Sequence, residues 1–522
     1  MLTWLHKILL SNKKEFFFLT LFLLSIVQFY FLGGGELDNL VFNADYTYLP
    51  ALYKSVIEQG DAFQLWYLTP APYFFPDMPI YAFFASIFPS FQLALIVSNA
   101  FQFTLLAYLL HTVLSRYAHA AMHRSIIYTG IAFLFVIGVN ILCGDYFLFH
   151  FLFTLTNHTG NLINTLLAML LFERLIQSEK HIRYGVLIFF IIQVFYISDN
   201  LFLLTFIIPA CVISIYHLII SRFKSRYIML CLGMAVSIVT GILLSNNLRF
   251  FAYKTNKAKA KWSMMDTSIE NFLQSMEFFT THFWPLLLIL GFGVVYAIVV
   301  ILLKLWKQPW NSLSNADILL GASLMAMLLS LAATIFGGLH MGIDTARYYI
   351  VPVFAFIFIS ASHALARISI SNMGWTVFSV LIFLYGGYRL YFAELEKPKA
   401  VHNYIPPDIQ RILEKTEALK LKDGISGYWY AKPLYLFSNG KHTMAGMYDR
   451  MFYPYTHITS EEWINKPVFT FAVTTAASPI DRNILQSITL EKYSIGGEDT
   501  LWVTLPFTME KGKKGYTLSR QD

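Results

Sequence analysis

Asp45 is the residue of this chain best placed to do chemistry. It follows an apolar segment ending at Gly33-Gly34-Gly35-Glu36-Leu37-Asp38 and stands in the run Asn43-Ala44-Asp45-Tyr46-Thr47-Tyr48-Leu49-Pro50. A carboxylate there can take a proton from a hydroxyl and stabilise an oxocarbenium-like centre electrostatically. The position also suits a helix N-cap, because Tyr48, Leu49, Leu52, Tyr53 and Val56 recur at helical spacing over 45–59 along a membrane surface. A second set of residues is basic. Arg249, Lys254, Lys257, Lys259 and Lys261 crowd one loop, and Arg347 lies in a later one. Such cations can hold an anionic group such as a phosphate. The lysine run equally reads as a solvated loop against anionic lipid. Asp145, His158 and Asp77 make a third set. Asp145 and His158 can orient a substrate or, with Asp45, bind a divalent cation such as Mg or Mn. Asp77 can hold substrate hydroxyls or simply end a turn. In the plainer reading, His340 and Asp344 pair with Arg347.

The elements that position these groups cross a membrane. The chain has 522 residues, 57% hydrophobic, 17% aromatic and 13% charged, with a mean hydropathy of +0.55. A soluble domain carries roughly 25% charge. The net charge of +7 sits in loops beside apolar spans, where membrane orientation explains it and nucleic-acid binding does not. Cys143, Cys211 and Cys231 lie in or beside apolar segments, so no disulfide framework is implied. Spans of about 20 apolar residues are expected near 16–33, 91–114, 124–143, 159–174, 183–198, 201–220, 226–246, 284–306, 317–336, 348–366 and 375–392, about eleven in all. The first lacks a small-residue cleavage site and reads as a retained anchor.

Every second short loop is basic, which places the N-terminus in the cytoplasm and the C-terminus outside. The loops 34–90, 143–158, 247–283 and 337–347 are then external, and 247–283 breaks the charge rule with its basic cluster. Within the first outer loop, Trp66–Tyr81 carries Pro70, Pro72, Pro76 and Pro79 and is expected to be an irregular aromatic strip. Such backbone is tolerated near the bilayer where protein or a water-filled cavity covers it. Residues 1–392 thus form a transmembrane module, and 393–522 a small soluble α/β domain. That domain is expected to hold a helix from Ile405 to Lys422, a strand at Tyr428-Trp429-Tyr430, and strands at 467–474 and 500–506. Its Tyr428, Trp429, Tyr430, Tyr448 and Tyr453 either contact a glycan or fill the core.

These features together resemble the GT-C superfamily of integral-membrane glycosyltransferases. The resemblance rests on a cytoplasmic N-terminus, one span followed by a long outer loop with Asp45, a second acidic outer loop with Asp145, and the basic outer loop. The run Asp344-Thr345-Ala346-Arg347-Tyr348-Tyr349-Ile350-Val351-Pro352, leading into a late span, and the outer C-terminal domain complete it. The chain lacks a Trp-Trp-Asp signature and a doubled acid at Asp45. The resemblance implies an inverting transfer of sugar from an undecaprenyl-phosphate-linked donor to a cell-envelope glycan or lipid of lipopolysaccharide O-antigen type, at the outer face of a bacterial inner membrane. Asp45 would be the base. Arg249, Lys254, Lys257, Lys259, Lys261 and Arg347 would bind the donor phosphate. A transporter or flippase of lipid-linked saccharide, or an O-antigen ligase or polymerase, are the other readings. The first predicts repeated halves and broken mid-membrane helices, and the second a large late outer loop.

Overall fold

The structure is a computed structural model. It is described for residues 13–30, 41–117, 150–177, 181–251, 253–255, 261–307, 313–367, 401–448, 453–475, 482–496, 499–512 and 515–520, plus isolated positions between 380 and 391 and residue 480. Among these, six helices are long and apolar enough to cross a bilayer: Phe91–Arg116, Leu203–Ile220, Tyr227–Leu248, Leu286–Lys307, Asn315–Phe336 and Ile350–Arg367. Shorter apolar helices cover Phe17–Val27 and Arg183–Ser198, and the helix Thr159–Gln177 packs between its neighbours. The chain is a multi-pass membrane protein of mainly helical fold. The expected spans at 124–143 and 375–392 lie outside the described residues, single positions apart.

Both ends of the bundle are tied by polar groups. At one end Asp317 is fully buried and accepts from Arg367 at 2.7 Å, from Lys304 and from Ser314, with His363 Nε2 at 3.3 Å. Ser314 and Asp317 form a reciprocal capping box that starts the helix Asn315–Phe336. One carboxylate therefore fixes the ends of three helices. The opposite end carries the segments around Asp45 and the C-terminal domain.

Nine strands occur in the described residues: β1 (Trp66–Leu68), β2 (Lys254–Thr255), β3 (Asp423–Gly427), β4 (Thr443–Met447), β5 (Thr459–Ser460), β6 (Phe469–Thr474), β7 (Thr489–Gly496), β8 (Asp499–Gly512) and β9 (Gly515–Arg520). Six of them form the C-terminal sheet, ordered β4-β3-β6-β8-β7 with β9 on β8. The other three form a small sheet, β2-β1-β5, that joins the first loop, the basic loop and the C-terminal domain. Lys254 adds an ion pair to Glu461 across this junction and stands over the Tyr67 ring at 5.4 Å.

Two expectations change. The segment 45–59 is helical only from Tyr48, as Tyr48–Tyr53 continuing into a wider turn through Glu58. Its apolar residues do not lie on lipid. Tyr48, Leu49, Ala51 and Leu52 are buried, because the C-terminal helix Tyr428–Phe437 packs over it. Tyr435 donates to Gln59 Oε1 at 2.6 Å and Lys54 to Asn439 at 2.6 Å across that contact. Residues 428–430 are the start of this helix and not a strand. The strand comes just before, at β3, where parallel partners on both sides bury the backbone. Gly424 is needed there, since a Cβ would meet the Phe471 ring at 2.6 Å. The expected helix and later strands are found at Pro407–Ala418, β6 and β8.

The proline strip also ends in order: Asp77–Ile87 is a helix whose first residue is buried against the start of Thr159–Gln177. A Cβ on Gly160 would stand 2.0 Å from Asp77 Oδ2 and 2.9 Å from the Pro76 ring. Overpacking of this kind costs roughly 1–3 kcal/mol or more. Gly160→Ala should therefore lower the thermal midpoint of the detergent-solubilised protein. Gly185→Ala, whose added methyl meets only Leu175 at 3.9 Å, should not. Equal midpoints for the two variants would refute this packing.

Candidate active site

The site begins with Asn43. Its side-chain oxygen accepts the Asp45 and Tyr46 amides at 2.9 and 3.1 Å, and its carbonyl accepts the Thr47 amide and hydroxyl. This closes a turn in front of the helix at Tyr48. The N-cap position is Thr47, which makes no side-chain cap bond, so the Asp45 carboxylate does not cap the helix and points elsewhere. It points at two groups far away in the chain. Arg347 Nη1 donates to Asp45 Oδ2 at 3.1 Å, and the Tyr428 hydroxyl donates to Oδ1. Arg347 comes from the short 3-10 turn Ile343–Tyr348, and Tyr428 from the first turn of the C-terminal helix. The two charged side chains are 23% and 31% exposed, so water screens them only in part.

Burial alone would raise the pKa of Asp45, because it disfavours the charged carboxylate. Arg347, the Tyr428 hydrogen bond, Lys432 and His457 together outweigh it and hold the carboxyl below its ordinary value. Burial, and then the Asp45 charge, keep the Tyr428 hydroxyl protonated far above pH 7, so it acts as a donor. Lys432 lies four residues after Tyr428, on the same helical face. Its ammonium is buried, donates to the Ile458 carbonyl at 3.1 Å and stands 4.0 Å from the centre of the Tyr428 ring. Burial pulls it down to about 7, against the pull of Asp45. Burial likewise lowers His457 to about 4, so that its imidazole is neutral at pH 7.

A second cluster adjoins the first. The Arg347 guanidinium sits 5.5 Å from the Tyr348 ring, and that ring is 5.3 Å from the His158 ring. His158 is buried. Its Nδ1 is 2.6 Å from Asp199 Oδ2, and its Nε2 is 3.4 Å from the Tyr73 hydroxyl. Asp199 also caps the following turn through the Leu201 amide, which fixes its orientation. His158 and Tyr73 hold left-handed backbone, φ +64° and +59°, and such strain collects where structure serves a site.

His158 opens one end of a cavity that runs between the helices Thr159–Gln177, Leu203–Ile220, Asn315–Phe336 and Ile350–Arg367. Asn161 and Thr205 lie near that end, Met169, Phe172 and Ala322 in the middle, and Ile176, His217 and Asn315 at the far end. From residue 158 to 176 the helical rise is about 27 Å, close to the roughly 30 Å of a hydrocarbon core. The lining is chiefly apolar and the volume is ≈ 110 Å³. It is a slot, so a long chain lies along it only when pliable side chains such as Met169 swing aside.

The other sequence candidates fall as follows. Asp77 is buried beside this cluster, accepting from the Thr156 amide at 2.9 Å and Gln102 at 3.1 Å, and burial raises it to about 6. Lys254 is held in the small sheet by Glu461. Lys261 anchors by its backbone, donating to the Gly337 carbonyl at 2.9 Å, and its side chain is exposed. His340 pairs with Ser275 and Thr345. Asp145, Lys257, Lys259 and the side chain of Arg249 lie outside the described residues. Among the described residues no three His, Cys, Asp or Glu side chains stand together as metal ligands. Arg347 and Tyr428 donate to the two Asp45 carboxylate oxygens, and Asp199 faces His158 Nδ1. Sequence reasoning missed Lys432, His457 and Asp199. A lone lysine within an apolar helical run was the available signal for Lys432, and an acid wedged between two spans was the signal for Asp199.

No protein-family profile matches the chain, and no curated protein matches it. Among solved structures it is similar to ArnT from Cupriavidus metallidurans bound to undecaprenyl phosphate, at 15% identity and a TM-score of 0.46 over 94% of this chain and 98% of that one.

The depressed Lys432 has a consequence for stability. From about pH 7 up to the ordinary lysine range, the unfolded chain holds a proton that the folded chain has released. Stability therefore rises with pH across that window. The thermal midpoint of the purified protein should climb from about pH 7 to about pH 10. Lys432→Met should flatten the climb, and an unchanged slope would remove Lys432 from the buried charge balance.

Proposed function

We propose that this protein is a membrane glycosyltransferase of GT-C type. It moves a sugar from an undecaprenyl-phosphate-linked donor to a cell-envelope glycan or lipid, of lipopolysaccharide O-antigen type, at the outer face of a bacterial inner membrane. One observation carries the reading. The Asp45–Arg347 pair stands beside His158, and His158 opens a mainly apolar cavity as long as a bilayer core is thick. A polyprenyl chain suits the cavity, and its phosphate would then emerge next to a guanidinium and a carboxylate. The pair is reached from the His158 end of the cavity across the Tyr348 ring.

In the transfer, the acceptor hydroxyl attacks the anomeric carbon. A bond forms between acceptor oxygen and that carbon, the bond from carbon to phosphate oxygen breaks, and the configuration inverts. The hydroxyl proton passes to Asp45, and the polyprenyl phosphate leaves with its charge compensated by Arg347. Arg347 thus serves both the carboxylate and the phosphate. While it stays on Asp45, the carboxylate is a weak base. A donor phosphate that draws the guanidinium away makes Asp45 a stronger one. His158, paired with Asp199, would face the phosphate from the cavity side.

A flippase of lipid-linked saccharide is the second reading, because a cavity of bilayer length would serve it as well. Membranes carrying Asp45→Asn decide between them. Sugar transfer from a panel of polyprenyl-phosphate sugars should fall by about 10²–10⁴-fold, the range for loss of a general base. Arg347→Gln should raise the donor KM more than it lowers kcat. Unchanged transfer in Asp45→Asn would sink the base assignment, and lipid-linked saccharide movement in liposomes without any transfer would favour the flippase.

A further inference from the structure

Tyr428, which holds Asp45, is the first of a connected group of aromatic rings in the C-terminal domain. Tyr428, whose hydroxyl holds Asp45, packs edge-on to Tyr455 with ring centres 4.8 Å apart. Tyr455 packs against Tyr448 at 4.4 Å, and Tyr448 lies 5.8 Å from Tyr453. Trp429 flanks Tyr428 at 5.1 Å, and His457 lies 5.6 Å from Tyr455. The backbone fixes the row, since the Tyr448 amide donates to the Tyr453 carbonyl at 2.9 Å and the Tyr455 amide to the Gly446 carbonyl at 2.8 Å. Tyr428 is 8% exposed, while Tyr448, Tyr453 and Trp429 are 37%, 38% and 41% exposed. A soluble domain seldom leaves a connected group of large rings in water unless it binds something.

We infer that this row is the acceptor-binding platform and that the acceptor is a carbohydrate. Tyr455 stands near perpendicular to both its neighbours, at 88° to Tyr428 and 71° to Tyr448, while Tyr453 is tilted 40° from Tyr448. The rings therefore offer ring faces and hydroxyls in turn. A pyranose presents a C–H face and a rim of hydroxyls, which complements that alternation. The row begins at the residue that touches Asp45, so a saccharide lying on it delivers its end hydroxyl toward the carboxylate. The donor would reach the same carboxylate from the cavity on the other side. This inference rests on the transferase reading of the Asp45 site and adds to it the class of the second substrate.

The test uses the full-length protein in lipid nanodiscs and saturation-transfer NMR, with the aromatic protons irradiated. The probes are maltohexaose, laminarihexaose and chitohexaose. Transfer to pyranose C–H protons is expected from at least one of them. It should drop at least threefold in Trp429→Ala and in Tyr448→Ala, and stay unchanged in Trp306→Ala, an exposed ring in the bundle helix that ends at Lys307. In the transfer assay, the same two variants should raise the acceptor KM by about tenfold, the scale of one lost ring contact, with the donor KM unaltered. No transfer of saturation to any probe, or equal transfer in all variants, overturns the inference. So does quenching by brominated lipid of a fluorophore on Trp429→Cys, which would put the rings in the membrane interface. Saccharide binding without catalysis would keep the platform and remove the transferase reading. Catalysis with an unaltered acceptor KM would do the reverse.

Discussion

A single carboxylate, held by one guanidinium and one phenol, organises the functional end of this molecule. Asp45 belongs to the first long loop, Arg347 to the turn before a late helix, and Tyr428 to the C-terminal domain. No two of these segments are neighbours in the chain. Each alone would leave a polar or charged group poorly solvated: a carboxylate against the bundle, a guanidinium against tyrosines, a buried hydroxyl. Together they satisfy one another. Surface ion pairs contribute little, because water and salt screen them and flexible side chains must be ordered. This pair is partly withdrawn from water and lies on fixed backbone, so its value is geometric. Tyr428 joins the C-terminal domain to it.

That docking explains features which look unrelated one by one. The helix Tyr48–Tyr53 is apolar on the side that meets the C-terminal helix, and there it is covered. The two-residue strand β2 and the three-residue strand β1 are too short to stand alone, and β5 from the C-terminal domain completes their sheet. Lys254 and Glu461 close the same seam. Lys432 enters as a buried cation without a carboxylate in direct contact among its described hydrogen bonds, and the Tyr428 ring and the Ile458 carbonyl take its charge. The C-terminal domain is thereby part of the site and more than an appendage of the bundle.

The bundle supplies the opposite requirement. Its cavity is lined chiefly by apolar residues over a length set by helical rise. At the far end, the buried Asp317 cluster ties three helices together. At the near end, His158, Asp199 and Tyr73 form a compact polar floor beneath the charge pair. A ligand with a long apolar tail and a charged head would meet each part of this gradient in the right order.

Much of this was legible from the residues alone, for a physical reason. Apolar runs of bilayer length, loop charge and the proline-rich strip depend on local composition, so the helices, the irregular strip and the later C-terminal strands follow from it. Asp45 and Arg347 each stood out through charge beside a span. Their partnership did not, because a contact between residues 302 apart leaves no trace in either neighbourhood. The helix at 428–437 read as a strand, since three aromatic residues in a row suit a strand and only the parallel ladder of β3 shows where extension ends. That misreading hid Lys432, whose place beside Tyr428 exists only at helical spacing. The chain by itself determined that it holds helices long and apolar enough to cross a bilayer, and which segments carry charge. Folding decided which charges meet, because desolvation, which makes those meetings chemically useful, depends on what is packed above them.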